Sequence, residues 1–258
     1  MKVGGDGRAM PEVVDRAAFE AKVSALRLKE KAHMRDGDAI AAVRRRLPIV
    51  AVDGATPLVG ERGPLTLLDA FEDRQMLIAY YFMWHNGLPA PRQCEGCTWF
   101  TTQIRELDHL HSRNVTYATF CQGPYEESAR YRDFMGWKLP WYSAQESLET
   151  LLVGRRIGSM HIICYLRRGS EVFEAYWTTL RGVEALDNSY RLLDLTVYGR
   201  QEDFEDSPAG WPQRWGQHNH PCRRDGRPMQ ISSSRASWLP PECRRRSEWF
   251  PAPGTASK

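Results

Sequence analysis

Gln75-Met76-Leu77-Ile78-Ala79-Tyr80-Tyr81-Phe82-Met83-Trp84 decides how this chain is read. From Met76 onward the run is uninterrupted by charge, with Arg74 just before it and Asn86-Gly87 just after. It falls far short of the ~20 residues a membrane-spanning helix needs. Its length and punctuation fit a strand buried on both faces, as in a parallel sheet. A Gly/Pro-rich loop, His85–Gln93, follows and delivers Cys94. In Thr98–His111 the residues Phe100, Ile104, Leu107 and Leu110 recur on one helical face, and Val115–Cys121 then alternates like a strand. Strand, loop, helix and strand make a βαβ unit, whose crossover is right-handed.

Upstream, Phe19, Val23, Leu26 and Ala32 recur at helical spacing between Asp15 and His33. The spacing predicts an amphipathic helix, broken at Asp36-Gly37, resumed through Ala39–Arg46 and stopped by Pro48. Arg44-Arg45-Arg46 reads as a solvated helix C-terminus, where cations are favoured. Residues 49–71 read as an extended segment, a polar turn at Gly60–Pro64 and a short Leu-rich helix ending near Phe71. Downstream, Tyr125–Met135 is helical after Pro124, and Gly136–Ser143 is an extended aromatic segment. His161–Arg167 and Glu171–Trp177 form a hairpin across Arg168-Gly169-Ser170, and Val183–Leu195 is the last helix. Beyond residue 198, Pro, Trp, Arg and Ser dominate. An irregular tail ordered by Trp211, Trp215, Trp238 and Trp249 is expected there, since disordered tails are poor in Trp. The division is thus residues 1–46 (leader and helices), 47–197 (the main domain) and 198–258 (a tail packed on it).

The chain has 258 residues, 42% hydrophobic and 26% charged, ample for a core. A net charge of +3 gives no case for nucleic acid or an anionic membrane as partner. The opening Met-Lys-Val-Gly-Gly-Asp lacks an apolar signal core, so a cytoplasmic location is expected. There, cysteines are seldom structural disulfides. The six cysteines (94, 97, 121, 164, 222 and 243) are therefore core thiols, redox thiols or metal ligands. Cys121 and Cys164 fall in apolar strands and read as core; Cys222 and Cys243 lie in the Arg-rich tail.

Cys94-Glu95-Gly96-Cys97 carries the chemistry. A cysteine at a helix N-terminus meets unpaired backbone N–H groups and the positive end of the dipole, both of which favour the thiolate. A second cysteine one turn along is placed to attack a mixed disulfide. Cys94 is read as nucleophile and Cys97 as resolving thiol, while Glu95 opposes ionisation. Trp84 and Trp99 flank the loop and, with Trp141, are candidate walls of a pocket for a planar apolar substrate. No P-loop, Gly-x-Gly-x-x-Gly or Ser-centred nucleophile elbow is present.

Leu65-Thr66-Leu67-Leu68-Asp69-Ala70-Phe71, then Leu77–Met83, then the Cys pair, resembles the peroxiredoxin-type branch of thioredoxin-like folds. More specifically, the chain resembles a bacterial family, domain of unknown function number 899, labelled predicted dithiol-disulfide oxidoreductase. The resemblance is carried by Cys94–Trp99, His109-Leu110-His111 with Val115-Thr116, and Met135-Gly136-Trp137-Lys138-Leu139-Pro140-Trp141-Tyr142-Ser143. It continues through Leu193-Asp194-Leu195-Thr196, Gly199-Arg200-Gln201-Glu202 and Gly210-Trp211-Pro212. It covers about residues 15 to 220. It implies an α/β, thioredoxin-like three-layer sandwich with an N-terminal helical extension and an irregular Trp-rich C-terminal tail. It also implies an oxidoreductase.

One departure matters. Thioredoxin-like oxidoreductases place a proline before the strand facing the Cys pair, whereas Arg155–Met160 contains none. That favours small-molecule chemistry or metal binding over protein-disulfide reduction. In this fold His85 and His161 belong to elements ending near the Cys pair, and His218 and His220 sit two apart before Cys222. Cys94 and Cys97 with some of these imidazoles would suit copper or zinc. His109 and His111, two apart on a helix, face different ways. The leading function is thiol–disulfide or related redox chemistry, which needs no cofactor. The alternatives are a copper- or zinc-thiolate oxidase or oxygenase acting on a small aromatic molecule, and a non-enzymatic binding module. The expected partners are a small-molecule substrate or disulfide donor or acceptor, with a second copy of the chain as a candidate homodimer.

Overall fold

The computed structural model describes residues 9–213, which fall into two compact units: residues 50–189, and residues 9–49 with 190–213. In the larger unit, strands β1 (Val50–Val52), β2 (Pro57–Gly60), β3 (Gly63–Thr66), β4 (Met76–Phe82), β5 (Val115–Cys121), β6 (Trp141–Ser143), β7 (His161–Arg168) and β8 (Glu171–Thr179) form one sheet. Their order is β1-β8-β7-β4-β5-β6-β2-β3. The Met76–Trp84 run is its central strand. β4 pairs parallel with β5 (Ala79 opposite Ala118) and antiparallel with β7 (Ala79 opposite Ile163). It is therefore hydrogen-bonded on both edges and apolar on both faces. The order β8-β7-β4-β5, one parallel pair flanked by an antiparallel hairpin, is the four-stranded heart of a thioredoxin fold. The sheet is mixed where the apolar run alone suggested a parallel one.

The helices of this unit are α2 (Glu95–Gln103), α3 (Asp108–His111), α4 (Tyr125–Phe134), α5 (Leu148–Leu151) and α6 (Arg181–Glu184). Pleating splits β4 between two cores. Tyr80 and Phe82 join a cluster with Tyr117, Cys121, Tyr131, Trp137, Trp141, Met160 and Ile162; Leu77, Ala79 and Tyr81 join another with Phe71, Phe120, Leu152, Ile163 and Tyr165. The hairpin expected at Arg168-Gly169-Ser170 is present, with Gly169 supplying φ of +62°.

Three expectations are corrected. Thr98–His111 is not one helix: α2 begins at Glu95 and ends at Gln103, followed by Ile104, whose ψ of 99° is extended, and α3 is a separate turn. The last helical segment is likewise two pieces, α6 and α7 (Asn188–Leu193). Leu65-Thr66 pairs in β3, leaving only a 3₁₀ turn at Asp69–Phe71.

In the smaller unit, α1 (Arg16–Arg44) runs unbroken through Asp36-Gly37. Asp15 caps it, accepting the Ala18 N–H at 2.8 Å. A single glycine costs about 1 kcal/mol in a helix, too little to break one propagating from both sides. Residues 198–213 belong to this unit, where Arg200 bonds Asp194 at 2.9 Å and stacks 4.2 Å from the Tyr190 ring. The rest of the expected tail, with Trp215, Trp238 and Trp249, lies outside the described residues. No helix among the described residues is long and apolar enough to cross a membrane.

On the Tyr81 face of the sheet lies a buried polar group of Arg155, Glu174, His161, Tyr81 and Tyr165. The Tyr81 and Tyr165 hydroxyls bond at 2.8 Å, Arg155 pairs with Glu174, and Arg155 lies 4.7 Å over the Trp177 ring. His161 Nε2 donates to the Arg156 carbonyl at 2.9 Å, which leaves Nδ1 as a bare, buried acceptor. Burial first, then the Arg155 charge, holds this imidazole below its ordinary pKa, against the opposing pull of the Arg156 carbonyl. The folded chain therefore binds this proton less well than the unfolded one. The His161 contribution is complete above about pH 6.5 and is lost as pH falls from there toward the depressed folded value. His161→Gln should flatten the fall in Tm between pH 7 and 5. An unchanged slope would refute the assignment.

Candidate active site at the N-terminus of α2

β4 ends at Phe82, and the chain enters the loop through Met83 and Trp84. The loop is stapled from within by Gln93, which is fully buried. Its Oε1 accepts the His85 N–H at 3.0 Å, and its Nε2 donates to the carbonyls of His85 at 2.9 Å and Leu88 at 2.8 Å. Cys94 is thereby placed as the N-cap of α2. Its sulfur accepts the Cys97 N–H at 3.4 Å, and the Cys97 sulfur accepts the Met83 N–H at 3.4 Å. Thr98 anchors the first turn, its hydroxyl donating to the Cys94 carbonyl at 2.8 Å and meeting the Tyr131 hydroxyl at 2.9 Å. Both cysteines are unbridged and wholly buried. Each sulfur thus receives a backbone N–H donor.

The sheet and α2 add hydroxyls. Tyr80, Thr101, Tyr117 and Thr119 carry buried hydroxyls with no well-formed hydrogen bond. Burial first, then the Cys97 and Cys94 sulfurs, raises the Tyr80 phenol well above its ordinary pKa. Burial dominates at Tyr117 too, with Cys97 again raising it. These phenols stay protonated, and that of Tyr80 can donate to a sulfur that ionises. The Tyr80 hydroxyl faces the Cys97 sulfur, and the Tyr117 hydroxyl faces that of Thr119.

Residues 8–220 match the family model described as bacterial protein of unknown function, DUF899. The chain belongs to this family. No curated protein matches it. Among solved structures, similar chains include a cysteine-to-serine mutant of Xanthomonas campestris peroxiredoxin Q, with 13% identity, a TM-score of 0.38, and 55% of this chain and 96% of that one covered. A cysteine-to-serine mutant of Xylella fastidiosa PrxQ has 15% identity and a TM-score of 0.36, covering 54% of this chain and 90% of that one. A Chlorobium tepidum chain titled as a putative thiol:disulfide interchange protein DsbE has 12% identity and a TM-score of 0.35, covering 55% and 96%.

In this family member the site residues expected from sequence do not all converge. Cys94 and Cys97 lie together in the first turn of α2. His85 is half-buried at the loop entry, its pKa lowered by burial and then by Arg92. His161 is corrected: it starts β7 beside Met160, but alternation turns Met160 toward the cysteines and His161 to the opposite sheet face. Among the described residues no three of His, Cys, Asp and Glu gather as a metal site, so the Cys94, Cys97, His85 and His161 ligand set does not assemble. His218 and His220 lie outside the described residues, as do Cys222 and Cys243.

Trp84 and Trp141 are buried core rings, 6.2 and 5.4 Å from Phe82. Trp99 is half-buried, and the three do not line one pocket together: Trp141 borders a large open cavity, whereas Trp84 and Trp99 do not. Gly123 lies against Trp84, where an added Cβ would come 2.0 Å from the indole. The large open cavity, about 1470 Å³, is lined by Arg62, Asp69, Arg132, Lys138, Tyr142 and Arg167 among others and by neither cysteine. Missed by sequence reasoning were Gln93, Met83 and the hydroxyls of Tyr80, Thr101, Tyr117 and Thr119. A glutamine immediately before the Cys pair was the one available signal.

Proposed function

We propose that Cys94 and Cys97 are a redox-active dithiol that reduces a small-molecule disulfide. The observation that supports this best is the paired donor geometry: the Cys97 N–H on the Cys94 sulfur and the Met83 N–H on the Cys97 sulfur, both at 3.4 Å. The Cys94 thiolate attacks one sulfur of the substrate disulfide. A mixed disulfide forms, and the distal sulfur leaves as a thiolate that takes up a proton. The Cys97 thiolate then attacks the Cys94 sulfur, which frees the second substrate thiol. Two electrons have passed, and a Cys94–Cys97 disulfide remains for an external dithiol to reduce. Tyr80 donates to Cys97 while it carries charge. Complete burial of both sulfurs, and no proline in residues 155–160 to dock an extended peptide, favour a small substrate admitted when the Gln93-stapled loop opens.

Equilibration of metal-free protein in graded dithiothreitol buffers, followed by alkylation and peptide mapping, tests this. Cys94 and Cys97 should disappear together in one two-electron transition and map as one cross-linked peptide. Alkylation of both at every potential, or a disulfide mapped elsewhere, would refute it.

A further inference from the structure

We propose that Met83 completes, with Cys94 and Cys97, a three-sulfur site for copper(I). The Cys94 sulfur lies 3.8 Å from the Met83 thioether, and Cys97 is the other thiol of the same helical turn. With metal–sulfur bonds of about 2.3 Å, three sulfurs in trigonal array stand about 4 Å apart, so the Cys94–Met83 spacing already suits a shared ion. Met83 is 6% exposed and both cysteines are at 0%, so water is excluded as a competing ligand. Its place is set by the chain: it is the first residue after β4, and its own N–H bonds the Cys97 sulfur.

The donor set selects the ion. Two thiolates and a thioether are soft, and soft sulfur favours Cu(I). Zinc takes four ligands from Cys, His and carboxylates, and among the described residues no third member of that group joins the pair. Binding exchanges two thiol protons for one cation and moves no electrons. The bound unit carries a net single negative charge, and the two N–H donors and the N-terminus of α2 offset it. This site goes beyond the dithiol reading and does not depend on turnover. A Cys94–Cys97 disulfide and bound copper exclude each other, because both use the same sulfurs.

The experiment titrates reduced, full-length protein without oxygen, using tetrakis(acetonitrile)copper(I) against bathocuproine disulfonate. The protein should withhold about one copper per chain, and the X-ray absorption fine structure should fit three sulfur neighbours. In selenomethionine-labelled protein one of these should become selenium. Met83→Leu, close in volume and so tolerated in the core, should weaken copper binding at least about tenfold and remove the selenium neighbour. Cys94→Ser should abolish retention. Copper surrendered entirely to the chelator, no selenium in the labelled protein's shell, or unchanged affinity in Met83→Leu would each overturn the site. The selenium reading needs no substitution, so it stands even if a variant misfolds. The metal-free redox titration above judges the dithiol separately.

Discussion

Cys94→Ser should lower the reduction of a small disulfide such as hydroxyethyl disulfide by at least about 10³-fold, because the attacking sulfur is gone and the N-cap now offers a hydroxyl. Cys97→Ser should fail differently. Its Cys94 still attacks, one equivalent of product thiol is released, and the reaction stalls with half the substrate bonded to Cys94. Mass spectrometry of intact protein reads that adduct directly. The asymmetry follows from position. Cys94 is the cap and takes the donor of its own turn, whereas Cys97 takes the Met83 N–H and neighbours the Tyr80 hydroxyl. An adduct accumulating on Cys97 in Cys94→Ser would reverse the roles, and parental turnover in either variant would end the dithiol reading. Cys121 is the internal control. Burial above all pushes its thiol up to about 12, so it is protonated at neutral pH and Cys121→Ala should turn over normally.

The central strand and the Cys pair were legible because each is announced locally. An apolar run with charge before it and Asn-Gly after it has few homes besides an interior strand. A cysteine before a helical stretch states its own cap position. The hairpin was legible for the same reason, its turn needing the positive φ that Gly169 supplies. The rest is non-local. Whether a helix survives Gly37, or stops at Ile104, depends on what packs alongside. β2 and β3 join the sheet through β6, with Val59 opposite Ser143, a pairing nothing in Pro57–Thr66 announces.

The site was half legible for a sharper reason. Strand side chains alternate, so a fold-level statement that β7 begins near the cysteines does not choose between residues 160 and 161. The structure turns Met160 toward the Cys cluster and His161 away from it. Histidine had drawn attention because it is a familiar ligand, whereas Met83, inside an apolar run, read as core. Tyr80, Tyr117 and Thr119 on β4 and β5 were hidden likewise, since β-propensity alone accounts for them there.

Phe82→Ala should destabilise the protein by about 3–5 kcal/mol, the range for a fully buried aromatic truncated in a packed core. Phe82 is at 0% exposure, and Tyr80, Trp84, Tyr131, Trp137 and Trp141 lie around it with ring centroids 5.4 to 6.4 Å away. Trp137 and Trp141 stack at 5.7 Å and Trp84 is wedged against Gly123, so the shell cannot close over the missing ring. A residual cavity adds to the lost burial, and the cost should reach the upper part of that range. In a domain of this size it corresponds to a fall in Tm of about 6–20 °C. Phe82→Leu, which keeps most of the volume, should lose much less. The effect should also reach the chemistry, because Phe82 immediately precedes Met83, whose N–H bonds the Cys97 sulfur. With that anchor loosened, Cys97 should alkylate faster in native Phe82→Ala than in the parent, while Phe82→Leu stays close to the parent. A loss below about 1.5 kcal/mol would mean that the shell collapses into the space. Unchanged Cys97 alkylation beside a full stability loss would mean that the Met83 contact is held from the loop rather than from the core.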